Sequence, residues 1–223
     1  QNYSLAVIFL IFAAILDTLD GRIARLIKGT SEFGKELDSL TDFVSFGIAP
    51  AFILYFWELK NYGKIGWAIT LIFSVCCVLR LARFNLTKIS DDAEWKRNYF
   101  EGIPSPAGAI LILLPLIYEL SEIELNLDIK KFTPYLVVIV AVLLISNIPT
   151  FSLKKIQISS QLTIFLLFGI VVIFVSLIFF TFKALLVLGL LYLTSIPASY
   201  YLYKKTKKNL SKTPKEDDHD DIL

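Results

Sequence analysis

Apolar runs of near-membrane-spanning length follow one another along almost the whole chain, separated by short polar links. Crossing the hydrocarbon layer takes roughly 20 mostly apolar residues in a helix. Inside that layer every backbone N–H and C=O must be satisfied within the protein, which leaves helices or a closed barrel. The runs are continuous rather than alternating, so they read as helices. They fall at about 4–20, 37–57, 66–84, 104–119, 134–150, 161–180 and 184–203. A soluble domain of 223 residues would bury one core, and would not carry 56% hydrophobic residues arranged in this way. The expected fold is an all-α integral membrane protein, a polytopic transmembrane helix bundle with seven helices in this chain. No repeat of 20–50 residues is visible.

The basic residues are distributed unevenly among the links. Lys60, Lys64, Lys130, Lys131 and Lys183 lie on one side, and the other 17 of the 22 Lys and Arg lie on the opposite side. By the positive-inside rule the richer side is cytoplasmic, and it includes the link between the first two segments. From Lys204 the chain turns basic and then acidic. Residues 1–203 are therefore read as one transmembrane domain and 204–223 as a charged cytoplasmic tail. A net charge of +2 gives no reason to expect a nucleic-acid partner. Cys76 and Cys77 are adjacent inside an apolar run and read as small packing residues.

The first cytoplasmic link and its flanking helix ends carry the chemistry. Asp17 and Asp20 are three residues apart, and Asp38 and Asp42 four apart, so each pair shares a helix face. A short link between antiparallel helices can bring all four carboxylates to one place near the membrane edge. Clustered carboxylates repel one another and are costly to desolvate. Divalent cations resolve that conflict, and all-oxygen ligation favours Mg²⁺, Mn²⁺ or Ca²⁺. The single histidine, His219, lies in the distal tail, so zinc and histidine-based catalysis are set aside. Gly21, Ala24 and Gly34 leave room for a ligand, or for a neighbouring helix, to approach the backbone. Arg25 suits a diphosphate or the lipid headgroups.

Residues 17–42 contain D-x-x-D-G-x-x-A-R-x8-G-x3-D-x3-D with every specified position filled: Asp17, Asp20, Gly21, Ala24, Arg25, Gly34, Asp38 and Asp42. This stretch resembles the defining motif of the CDP-alcohol phosphotransferase family. The resemblance implies that Asp17, Asp20, Asp38 and Asp42 hold two divalent metals, Mg²⁺ or Mn²⁺, that grip the CDP diphosphate. It gives Asp42 the further role of general base, and gives nucleotide contacts to Gly21, Ala24, Arg25 and Gly34. It also implies a further helix ahead of residue 1, in keeping with a chain that begins Gln1-Asn2-Tyr3 and contains no Met.

The strings Glu36–Pro50, Leu79–Asn85 and Phe100–Gly108 resemble the serine-accepting branch of that family. The implied reaction transfers the phosphatidyl group of CDP-diacylglycerol, or of an archaeal ether-lipid analogue, to the hydroxyl of L-serine, with release of CMP. Glycerol phosphate or inositol phosphate as acceptor would use the same chemistry. Implied partners are the CDP-lipid, serine and membrane lipids, and a homodimer is compatible. Arg80 and Arg83 share a face at the end of their segment, followed by Asn85, and a guanidinium suits a serine carboxylate or an acceptor phosphate. The Gly102–Pro106 stretch reads as a rigid entry loop, with Ser105 as a turn residue or a weaker acceptor contact. An ion-coupled transporter would place its acids near the bilayer midplane in repeated halves. Here they sit at one edge and no repeat accompanies them. A scaffold without chemistry would leave the four carboxylates unexplained.

Overall fold

The computed structural model describes residues 2–27, 31–87, 99–123, 128–151 and 160–210. Among these the helices are α1 (Tyr3–Leu26), α2 (Glu32–Asp42), α3 (Ala49–Trp57), α4 (Gly63–Thr87), α5 (Ser105–Leu120), α6 (Thr133–Ile145), α7 (Ser160–Phe179) and α8 (Thr181–Leu210). A π-helical stretch, Phe43–Ile48, joins α2 to α3 without a break, so the described residues form seven helical rods where the hydropathy places them. The segments Tyr3–Ile23, Glu32–Trp57, Leu59–Leu86 and Thr181–Lys204 are long and apolar enough to cross a membrane. The acidic tail lies outside the described residues.

α5 is the centre of the bundle. It is apolar on every side, which is the pattern of a helix surrounded by other helices, and Leu111 to Ile117 are all buried. α3, α6 and α8 pack around it, and α4 lies along α6. α5 has 16 residues and α6 has 13, giving rods of about 24 and 20 Å at 1.5 Å per residue. Both fall short of the roughly 30 Å hydrocarbon thickness. The outermost surface is apolar as well: Phe9 and Phe12 on α1 and Phe168 and Phe174 on α7 are exposed. Such a surface suits a lipid solvent, where apolar groups outside the core carry no penalty.

Two sequence expectations need correction. The fifth apolar run was expected to stay helical to residue 150, but α6 stops at Ile145. Pro149 favours an extended residue before it. Pro149–Phe151 (β2) then pairs antiparallel with Tyr99–Glu101 (β1) in the register Tyr99↔Phe151, Phe100↔Thr150 and Glu101↔Pro149. This small ribbon is the only departure from helix pairing among the described residues. Ser105 is not a turn residue. Pro104 is the N-cap of α5, Ser105 is its first residue, and its side chain is buried. The turn is made at Gly102, whose φ of +74° favours glycine. A Cβ there would lie 2.9 Å from the carbonyl oxygens of both Leu144 and Ser146.

At the opposite end of the bundle, Lys130 bridges α5 and the start of α6. Its ammonium lies 2.9 Å from the Glu119 carboxylate and 5.4 Å from the centre of the Trp57 ring. The hydrogen bond to Glu119 raises the Lys130 ammonium above the ordinary lysine value. On the same side, α4 folds back tightly on the 3₁₀ turn Leu59–Tyr62. A Cβ at Gly66 would lie 1.8 Å from the Leu59 carbonyl oxygen, and that backbone atom cannot swing aside. Gly66→Ala is therefore expected to destabilise the fold by about 3 kcal/mol or more. Thermal unfolding of the detergent-solubilised protein would register this as a large drop in Tm.

Candidate active site

The last turns of α1 carry Asp17 and Asp20, and α2 carries Asp38 and Asp42. α2 starts where it does because Ser31 caps it: the Ser31 hydroxyl oxygen accepts the Gly34 N–H at 3.0 Å. A serine N-cap satisfies one of the helix's unpaired donors and contributes about 1 kcal/mol. α2 is tied to the end of α4, because Asn85 donates its side-chain N–H to the Ser39 hydroxyl at 2.9 Å. Ser39 donates in turn to the Lys35 carbonyl. Asn85 therefore acts on the helix that bears two of the acids.

Asp17, Asp20 and Asp38 converge, each offering an oxygen within 4.8 Å of the others. Asp17 is half-buried, and Asp20 and Asp38 are exposed. A divalent cation takes carboxylate oxygens at about 2.0–2.6 Å, so oxygens on one ion lie no more than about 5 Å apart. The trio fits such an ion in spacing and in donor chemistry. Asp42 stands beside the trio, with its side chain within hydrogen-bonding reach of Asp17. Its Oδ1 is buried and has no hydrogen-bond partner among the described residues. A buried carboxylate oxygen left unpaired is costly, and a neighbouring cation or a substrate proton would satisfy it.

The other expected contacts divide in an informative way. Gly21 is half-buried on α1, and Gly34 is taken up in the α2 cap. Ala24 and Arg25 belong to α1 by their backbone, and their side chains lie outside the described residues. Arg83 donates to the Ile145 carbonyl at 2.6 Å, the Asn147 side-chain oxygen at 2.7 Å and the Ser146 carbonyl at 3.0 Å. Its planar fork thereby closes the C-terminal end of α6, where helix carbonyls lack partners. Arg80 has one hydrogen-bond partner among the described residues, the buried Ser105 hydroxyl at 2.8 Å. Its guanidinium also lies 5.3 Å from the Phe84 ring centre, near enough to Asp42 for the two charges to interact. The two arginines thus do different things, although their spacing puts both on one face.

Sequence reasoning passed over three participants. Ser39 receives Asn85, Asn147 receives Arg83, and Cys77, fully buried, lies beside Ser105. Cys77 does pack, as a small buried residue was expected to, but it packs at the site. Its place one turn before Arg80 was the available signal. For Asn147 there was none, since it sits past the end of a distant helix.

The profile of the CDP-alcohol phosphatidyltransferase family matches residues 1–146, which include both acid-bearing helices and the whole arginine region. The chain belongs to this family. Similar curated relatives are named CDP-diacylglycerol–serine O-phosphatidyltransferase. The Helicobacter pylori (strain 26695) protein is 38% identical over 178 residues, spanning 80% of this chain and 71% of that one. The Methanocaldococcus jannaschii protein is 41% identical over 113 residues, 51% of this chain and 49% of that one. The Saccharomyces cerevisiae protein is 42% identical over 108 residues, 47% of this chain and 38% of that one.

The partition of the arginines has a measurable consequence in this family member. Arg83→Ala leaves two backbone carbonyls and Asn147 without their charged donor, which should cost about 2–3 kcal/mol of stability. Arg80→Ala loses one such bond and should cost less. Thermal unfolding of both variants, without substrate, should show the larger Tm drop for Arg83→Ala.

Proposed function

We propose that the chain transfers the phosphatidyl group of a CDP-diacylglycerol-type lipid to the hydroxyl of L-serine and releases CMP. The observation that carries this reading is the convergence of Asp17, Asp20 and Asp38, with Asp42 at their flank and Arg80 beyond it. The names of the relatives supply the acceptor. Asp17, Asp20 and Asp38, with Asp42 adjoining, would hold Mg²⁺ or Mn²⁺, two ions in the reading taken from the family. When bound, the metal neutralises the diphosphate and stabilises the departing CMP. Gly21, Ala24, Arg25 and Gly34 would border the nucleotide. The charge distribution supports a cytoplasmic position for this end of the bundle.

The remaining chemistry falls to the chain's own groups. Arg80 keeps donors beyond the one given to Ser105, and these would hold the serine carboxylate with its hydroxyl turned toward Asp42. The serine oxygen attacks the lipid-side phosphorus, the bond from phosphorus to the CMP oxygen breaks, and the serine proton passes to Asp42. An ordinary carboxylate is a weak base, so proton transfer accompanies attack rather than preceding it. No side-chain nucleophile is needed, and the phosphatidyl group passes directly. Arg83 is excluded from the acceptor site in this reading, because its hydrogen bonds already go to α6.

Two expectations test these assignments. In Asp38→Asn, serine-dependent CMP release should vanish, and the stabilisation of the wild type by Mn²⁺ in thermal unfolding should vanish with it. Asp42→Asn should still bind CDP-lipid while kcat falls by about a hundredfold or more. Equal losses of nucleotide binding in the two variants would make Asp42 chiefly a ligand.

The acceptor assignment has its own test. Arg80→Lys keeps the charge and removes the planar fork, so it should raise serine KM almost as far as Arg80→Ala, about ten- to a hundredfold. Serine KM measured at saturating CDP-lipid decides it. A wild type that releases CMP only with a phosphorylated acceptor would reassign Arg80 to that phosphate.

A further inference from the structure

Asp42 is the last residue of α2, and the helix changes type immediately after it. Through Phe43–Ile48 the backbone is π-helical, with the Ala49 N–H bonded to the Val44 carbonyl. π-Turns are rare and tend to occur at functional sites. The cause lies in the sequence that follows. Pro50 has no N–H to give, and in an unbroken α-helix its ring would press on the Phe46 carbonyl. An α-helix turns about 100° per residue. One extra residue in the turn therefore changes the phase between Asp38 and Asp42 upstream and the buried Pro50, Ala51 and Leu54 downstream.

The wide turn is braced from α4. The Ser74 hydroxyl, 3.1 Å from the Thr70 carbonyl of its own helix, also reaches the Gly47 carbonyl at 3.3 Å, so its single proton is shared between α4 and the turn. Gly47 is buried, and a Cβ built on it would lie 3.2 Å from both Cβ and Sγ of Cys77 and 2.8 Å from the Phe43 ring. Cys77 is itself fully buried, so α4 and the π-turn meet at a contact with no spare volume. One turn further along α4 stands Arg80, which holds Ser105 and lies near enough to Asp42 for their charges to interact. The same two segments therefore carry the close contact, the candidate base and the candidate acceptor-binding arginine.

We propose that Gly47 and Cys77, with the Ser74 hydroxyl, are positioning residues that fix the π-turn against α4 and so set the placement of Asp42 relative to Arg80. This rests on the roles given to Asp42 and Arg80 above. None of the three touches the substrate. They act through the turn, and a side chain at residue 47 would push the turn away from α4 and carry Asp42 with it.

The test uses the full chain in detergent or nanodiscs, with serine-dependent CMP release from CDP-diacylglycerol and CDP binding followed by calorimetry. Gly47→Ala should lower kcat by about ten- to a hundredfold, the penalty of a misplacement on the ångström scale, with CDP affinity kept within about twofold. The double variant Gly47→Ala/Cys77→Gly removes the opposing Cβ and Sγ and should recover part of the lost kcat, the contact with the Phe43 ring remaining. A purely destabilising effect would lower the number of CDP-binding sites together with the rate, whereas misplacement of Asp42 lowers kcat with CDP binding kept. Wild-type kcat in Gly47→Ala, or a loss that Cys77→Gly leaves unrelieved, overturns the proposal. If Gly47→Ala does not fold, Ser74→Ala carries the test without added volume: lower kcat with CDP binding retained supports the brace, and unchanged kcat overturns it. Asp42→Asn in the same assay keeps the two readings separate. Full turnover in that variant removes the role of Asp42 itself, whereas inactive Asp42→Asn beside fully active Gly47→Ala removes only the brace.

Discussion

Carboxylates repel, and this protein gathers four of them at the ends of two helices on the edge of an apolar bundle. Two such charges 4 Å apart interact by about 4 kcal/mol at the effective dielectric of a protein surface. Left alone, α1 and α2 would separate at this end. Much of the surrounding structure serves to hold the acid-bearing α2 in place beside the end of α1. Ser31 fixes where α2 begins, Asn85 fastens Ser39 to the end of α4, and the π-turn carries the acid-bearing helix into the core. Attraction to a divalent cation would then replace the repulsion with the chelate the trio is spaced to form.

The second constraint is the cost of charge among apolar helices. A guanidinium is tolerated there when its donors are matched by acceptors. Arg83 meets that condition at the end of α6, where helix carbonyls lack intrahelical partners, and so joins α4 to α6 and to Asn147 just beyond it. Gly102 allows the loop before α5 to pass over the Leu144 and Ser146 carbonyls, the second of which Arg83 also meets. Arg80 meets the condition only in part, through Ser105 and the face of Phe84. A guanidinium matched only in part keeps donors that an anion could take.

The segments beyond the family match take part in the same core. α8 packs on α5, where a Cβ at Gly189 would lie 2.5 Å from the Leu114 side chain. α5 begins at Ser105, so the support behind the Arg80–Ser105 pair comes partly from a helix that the family profile does not reach. α1 and α7, by contrast, expose most of their apolar residues. They gain little from the interior and depend on lipid as their solvent.

Much of this was legible in the sequence, because the relevant physics is local. Runs of apolar residues determine helices in a membrane whatever their neighbours do, and the seven rods lie where the hydropathy puts them. Asp17, Asp20, Asp38 and Asp42 were identifiable because helix periodicity and a short link constrain where they can go. The end of α6 at Ile145 and the entry of Ser105 into α5 were less so, since Pro149 and Pro104 permit several local outcomes and packing chooses among them. The difference between Arg80 and Arg83 was not readable at all. Three residues apart on one face, they have the same local description, and only the positions of α5 and α6 decide that one meets a lone hydroxyl and the other a row of carbonyls. The same holds for Gly47 and Cys77, which are 30 positions apart in the chain. Their contact exists only once α4 lies against the π-turn, because close packing is a property of two surfaces and a sequence describes each surface alone.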